Sequence, residues 1–208
     1  MRDGKERDTF LGLSETLKRK APGYLDILTA ETDADFEKAF DTLLQKSVEG
    51  LETNKEYFKT LGEDALSGIL ALALTMPGLT VTREAHSNGH VDLTIVADHS
   101  IPPRKKLGEA KVWDGPEYHI KGLKQLLDRY TTGREGRGLV IAYVKNKNIA
   151  GLIEKLRTTM NKERPCKQVA ETVDHVLKWS FLTRHFHSCG DTLDVGHIGC
   201  NLYTDTAN

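Results

Sequence analysis

Asp92, Glu109 and Lys111 stand where two short apolar-alternating runs, Gly89 to Ile95 and Leu107 to Trp113, would be expected to carry aliphatic residues. Along a strand alternate side chains share a face, so Glu109 and Lys111 point one way and Ala110 the other. If the two strands pair, Asp92 converges with Glu109 on one point. Two carboxylates there, with the backbone carbonyl of Ala110, supply the hard oxygen ligands that Mg2+ or Mn2+ prefers. Such an ion neutralises charge on phosphate oxygens and activates water. A lysine beside it can position or deprotonate that water, or stabilise developing negative charge. The chemistry expected of this set is metal-assisted phosphodiester hydrolysis. The competing reading of the same residues is a solvated sheet face with cross-strand charge pairing.

The elements that would hold these residues follow from periodicity. Residues 1–58 read as helical: Phe10, Leu11, Leu13 and Leu17 lie at near-helical spacing before Ala21-Pro22-Gly23, and Phe36, Phe40, Leu43, Leu44 and Val48 form a second stripe after the Thr32–Asp35 cap. An apolar helix from Ala65 to Thr75, opened by Glu63, is expected to turn Ile69, Leu70, Ala73 and Leu74 toward a sheet. Strands are expected over Leu79–Glu84, His90–Val96 and Leu107–Val112, with a turn at Ser87-Asn88-Gly89. Asp98–Lys106 reads as a loop with a basic tip at Arg104, Lys105 and Lys106. A helix from Asp114 to Tyr130, a doubly covered strand over Gly138–Val144, a helix over Ile149–Met160 and tail strands over Val176–Phe186 and Val195–Tyr203 complete the chain. A three-strand meander and a helical crossover to a fourth strand make a mixed sheet flanked by helices.

Composition bounds the class. With 208 residues, 38% hydrophobic and 28% charged, the chain can bury a real core. No apolar run nears the roughly 20 residues of a membrane span. The amino terminus lacks a secretory apolar segment, and three cysteines without framework spacing suit a reducing cytoplasm. A net charge of −1 leaves any nucleic-acid contact to local basic patches.

The region from Leu61 to Val144 resembles the PD-(D/E)XK nuclease superfamily, the restriction-endonuclease-like fold. Asp92 matches its first strand acid, and Glu109-Ala110-Lys111 its (Asp/Glu)-x-Lys motif; Val91 replaces the proline that often precedes the first acid. The resemblance implies an α/β fold with a mixed four-stranded core sheet flanked by helices, residues 59–208 forming the nuclease-like domain after an N-terminal helical extension. It implies a Mg2+-dependent deoxyribonuclease, with Glu63 as a further acid from the first core helix. RecB-like branches place a glutamine and a tyrosine on the helix after the lysine strand; Gln125 and Tyr130 match, one residue farther apart than usual. Similar domains occur in bacterial and phage-defence proteins. DNA is the implied partner. Read from their positions, Lys121, Lys124 and Arg129 fit phosphate contacts and solvated charge equally, and Trp113 and Tyr118 fit core or rim packing better than base stacking. His90 reads as a turn-flanking histidine ahead of a cleft residue, and the N-terminal helices pack on the core or serve a homo-oligomer or protein partner.

Rival readings remain at this level: a catalytically silent scaffold on the same fold, action on RNA, and a zinc-stabilised tail. His185, His187, Cys189, His197 and Cys200 supply zinc-type ligands, but their spacing fits no common zinc signature, and ordinary hairpin residues are the better expectation.

Overall fold

A computed structural model describes residues 9–21, 23–83, 85–86 and 90–205, with backbone only at 85, 86 and 90. The expected turn at Ser87-Asn88-Gly89, Glu84 and the side chain of His90 lie outside the described residues. The chain divides into two compact units, one reaching Leu44 and the other starting at Gln45.

The first unit holds α1 (Phe10–Lys20), α2 (Tyr24–Thr29) and the start of α3 (Asp33–Thr53). Thr9 caps α1 by accepting from the Gly12 N–H at 3.1 Å. The expected apolar stripe of α1 is not a core: the helix buries no residue, and Phe10, Leu11 and Leu13 are exposed. At α3 a reciprocal cap forms, with the Asp35 N–H on Thr32 Oγ1 at 3.1 Å and the Thr32 hydroxyl on Asp35 Oδ2 at 2.7 Å. Phe36, Phe40 and Leu44 are buried at helical spacing, as their periodicity predicts.

In the second unit come α4 (Lys55–Phe58), α5 (Glu63–Leu74), β1 (Thr80–Thr82), β2 (Ala85–His86), β3 (His90–Val91), β4 (Leu93–Ala97) and β5 (Arg104–Val112). They are followed by α6 (Pro116–Gln125), a π-turn (Leu126–Tyr130), β6 (Gly138–Val144), α7 (Ile149–Glu163), β7 (Val173–Asp174), β8 (Ser180–Phe186) and β9 (Thr192–Asn201). The sheet is mixed and seven-stranded, in the order β1-β4-β5-β6-β9-β8-β7. The expected four core strands are therefore extended, because the tail is not an appendage. Its β9 pairs in parallel with β6 and its β8 antiparallel with β9. Every residue of β6 is buried, so this strand needs a partner on both edges as well as cover on both faces.

The faces follow the alternation of β6. Val140, Ala142 and Val144 pack with α6, the π-turn and α7. Tyr143, on the other face, places its hydroxyl 3.4 Å from Ser67 of α5. The stripe of α5 that is buried is Leu66, Leu70, Ala71 and Leu74, so Ala73, expected to face the sheet, points away. Ser47 of α3 donates to the Ala73 carbonyl at 3.3 Å, and Glu52 accepts from the Asn201 N–H at 2.8 Å, tying the second half of α3 into this unit.

Two further expectations are corrected. The strand read over His90–Val96 breaks at Asp92 into β3 and β4. The basic stretch Arg104–Lys106 is the start of β5, not a loop tip: Lys106 is 1% exposed and donates to the Arg137 carbonyl at 3.2 Å. Lys106 is thus withdrawn from solvent, while Arg104 and Lys105 stay partly exposed. Among the described residues no helix is long and apolar enough to cross a membrane.

Two glycines test this packing with opposite signs. A Cβ on Gly199 would lie 2.6 Å from the Trp179 carbonyl oxygen, whereas one on Gly50, in α3, would meet nothing within 4 Å. Gly199→Ala is expected to cost about 2 kcal/mol, and Gly50→Ala to add up to about 1 kcal/mol. Urea unfolding of the two variants checks both.

Candidate active site

The candidate site forms where β4 has ended and β5 continues. Leu93 and Gly108 make the last β4–β5 pair, so the next donor on that edge of β5, the Ala110 N–H, has no strand partner. Asp92, at the break, supplies one: its Oδ2 accepts from Ala110 at 2.8 Å. The kink in the strand and the carboxylate's position thus have one cause, an orphan backbone donor that needed an acceptor.

Glu109 and Lys111 share a face of β5, as alternation predicts, and both are almost wholly buried. Helix α6 lies directly over them. A Cβ on Gly122 would sit 3.2 Å from Lys111 Cγ and 3.3 Å from Glu109 Cγ, so a glycine there lets the helix backbone approach this closely. Glu63 arrives from the first turn of α5. Its Oε1 accepts from Lys111 Nζ at 3.1 Å and its Oε2 from the Val112 N–H at 3.0 Å. Glu109 Oε1 lies 2.8 Å from the same ammonium. Lys111 Nζ also stands 6.0 Å from the centre of the Tyr118 ring.

Charge is out of balance here: Glu63 and Glu109 share one lysine, and Asp92 adds a third carboxylate on the adjoining Ala110 N–H. Burial pushes the Glu109 carboxyl up to about 7, with the charges of Asp92 and Glu63 adding and Lys111 opposing. Burial likewise raises Asp92, partly offset by the Ala110 N–H and Lys111. Burial works against the Lys111 ammonium too, yet Glu109 and Glu63 outweigh it and hold the lysine above its usual range. As an ammonium it donates to both carboxylates, the arrangement that positioning or charge stabilisation requires.

The donor set fits a hard cation in its chemistry, being carboxylate oxygen throughout, and Glu109 Oε2 is buried without a hydrogen-bond partner. Asp92 and Glu109 are the two residues that would hold it. Glu63 is turned to Lys111 and Val112 instead, and among the described residues no three His, Cys, Asp or Glu groups are arranged as ready ligands. Ala110 adjoins through its backbone.

Between Gln125 and Tyr130 the helix carries an irregularity no periodicity forecast. Five residues apart, they fall on different faces of an α-helix. The chain instead closes a π-turn, the Thr131 N–H bonding to the Leu126 carbonyl at 3.1 Å, which takes up the extra residue. Tyr130 is buried, and burial raises its hydroxyl pKa, with the charges of Glu109 and Asp92 adding. Gln125 is half-buried and makes no side-chain hydrogen bond among the described residues. Trp113 packs beside His119, ring centres 6.2 Å apart, while Lys121, Lys124 and Arg129 are exposed.

The tail does not assemble a zinc site. His185 and His197 both bond Thr183, His187 Nε2 lies 3.2 Å from Thr131 Oγ1, Cys189 is exposed against Gly133, and Cys200 is buried on the face of Tyr143. Sequence reasoning passed over His119, which on α6 bonds His197 at 2.8 Å; only the pairing of β6 with β9 brings the two together. Neither known protein families, curated proteins nor solved structures yield a match to this chain.

The Glu109 shift gives a stability signature with a definite sign. Its folded pKa, about 7, exceeds the ordinary 4.5, so the stability it contributes is complete below 4.5 and is lost as pH rises through 7. In buffer free of divalent cations, wild type should lose on the order of 2–3 kcal/mol relative to Glu109→Gln between pH 4.5 and 8. Parallel urea melts at the two pH values read the difference, and curves that run parallel would remove the buried-carboxylate account.

Proposed function

We propose that the chain is a Mg2+-dependent nuclease of restriction-endonuclease-like type that hydrolyses phosphodiester bonds of DNA. The observation that carries the reading is the pairing of Glu109 and Glu63 with Lys111 beside an Asp92 held on the adjoining Ala110 N–H, with the buried Glu109 Oε2 unpaired. A fold does not collect negative charge in a half-dry place without return, since each buried carboxylate costs desolvation energy. Binding a divalent cation and a phosphate is such a return.

In this reading Asp92 and Glu109 hold the cation. Mg2+, or Mn2+ in its place, supplies Lewis acidity at the phosphate and to the attacking water. The Lys111 ammonium orients that water or stabilises charge on the phosphate oxygens, and Glu63 keeps the ammonium in place. Gln125, with its amide unengaged, is available to substrate or water. Lys121, Lys124 and Arg129 present exposed charge on α6 and the π-turn, suited to phosphates. The restriction-endonuclease-like topology is supported by an antiparallel β1-β4-β5 meander followed by an α6 crossover to the parallel strand β6.

One observation favours the alternative, a silent nuclease-like scaffold. Two of the three ammonium donors of Lys111 are taken by Glu63 and Glu109, so much of its charge is spent in an internal ion-pair network.

Cleavage assays separate the two. Linear and circular DNA, single- and double-stranded, are incubated with Mg2+ or Mn2+ and with chelator. Metal-dependent cleavage is expected, reduced about 100-fold or more in Asp92→Ala, Glu109→Ala and Lys111→Ala, and about tenfold in Gln125→Ala. Cleavage that survives the first three would sink the assignment, and no cleavage of DNA or RNA under any condition would favour the scaffold.

A further inference from the structure

Three imidazoles that the carboxylate site does not use lie end to end in the core. His119 Nε2 is 2.8 Å from His197 Nδ1, and His197 Nε2 is 2.8 Å from Thr183 Oγ1. The same hydroxyl is 2.7 Å from His185 Nε2, and His185 Nδ1 is 3.0 Å from the Cys166 carbonyl oxygen. None of the four side chains belongs to a residue more than 2% exposed.

The carbonyl at the far end assigns every proton in the chain. A carbonyl only accepts, so His185 carries its hydrogen on Nδ1, and in a neutral ring its Nε2 is a lone pair. Thr183 must then donate to His185. Its oxygen accepts from the His197 Nε2–H, and His197 Nδ1 in turn accepts from the His119 Nε2–H. All four hydrogens run one way, from α6 through β9 and β8 to the segment after α7. The open end is His119 Nδ1, buried and without a partner.

An added proton has no place to go. On His197 Nδ1 or His185 Nε2 it would set two donors against each other, and on His119 Nδ1 it would put a charge in an apolar core. Burial accordingly pushes His119 down to about 3, and His197 and His185 below the usual imidazole value. The ionisable groups facing the chain are few: Asp194 opposes the effect at His185, His197 feels the other two rings, and His119 has burial alone.

The position of the chain is what gives it consequence. His197 lies in register with Glu109 across Val140, and its ring stacks on Phe181 at 4.6 Å. His119 is one helical turn before Gly122, the point where α6 rests on Glu109 and Lys111. A core that only needed filling would use aliphatic side chains, which carry no hydrogen-bonding demand.

We propose that the His119–His197–Thr183–His185 chain is the device that positions α6 over the Glu109–Lys111 pair. It admits one tautomer of each ring, and the site keeps its geometry only while all three rings are neutral. These are positioning residues. The inference concerns how the site is held together and stands whether or not the site cleaves DNA.

Thr183 gives the cleanest test. Thr183→Val keeps the shape and removes the hydroxyl shared by two imidazoles, while Thr183→Ser restores it. Amide exchange over α6 is expected to quicken about tenfold or more in the valine variant and to stay within about twofold of wild type in the serine variant. Equal exchange in both variants, or none altered, would overturn the proposal. Should the valine variant not fold, imidazole 15N spectra of the wild-type protein decide it. His119 and His197 should show Nε2–H tautomers and His185 an Nδ1–H tautomer, and α6 protection should fall, after correction for intrinsic exchange, at the pH where the first ring gains a proton. A different tautomer, a charged ring at neutral pH, or protection that outlasts protonation contradicts it.

Discussion

Lys111 carries one positive charge into a place where three carboxylates meet, and much of the second unit is arranged around that ammonium. Glu63 reaches it from α5, Glu109 shares its strand face, and Asp92 adds to the same field from the break between β3 and β4. Remove the charge, and the buried Glu109 is left beside the partly buried Glu63 with no cation to pair either. The pair is thus a structural necessity as well as a chemical candidate. Its surplus of negative charge is what distinguishes it from an ordinary buried salt bridge, in which charges balance.

Close approach is the second constraint. Helix α6 can cover the pair because Gly122 has no side chain, and the cover is what lifts the carboxyl pKa of Glu109. The same helix carries His119 toward the opposite half of the sheet and runs on into the π-turn that ends with the buried Tyr130. One short element therefore joins the acidic end of the sheet to the imidazole end. Glu109, Val140 and His197 stand in register across β5, β6 and β9, a polar–apolar–polar row on one face. Polar groups at both ends of so buried a row survive because each is engaged: the acid by an ammonium, the ring by a neighbouring ring and a hydroxyl.

Much of the fold was legible from periodicity, since apolar spacing follows from which face an element must bury. The stripe Phe36, Phe40 and Leu44, the continuous apolar strand Gly138–Val144 and the amphipathic helix from Ile149 are all elements as read. Errors came where a long-range contact overrode local pattern. Lys106 reads as a loop residue until the Arg137 carbonyl receives it. The break at Asp92 had no local signal, because the donor it serves belongs to another strand.

By itself the sequence determined that Glu109 and Lys111 share a face, because a strand's two-residue repeat admits no other outcome. It also determined that β6 would be central, because no half-solvated strand could hide so many aliphatic groups. Tertiary structure alone decided that Glu63 turns to Lys111, that Asp92 caps a foreign backbone donor, that a π-turn takes up the residue between Gln125 and Tyr130, and that three histidines far apart in the chain form one hydrogen-bonded line. The reason is common to all four. Each depends on distance and direction between groups remote in sequence, and these exist only after β5, β6 and β9 have set their register.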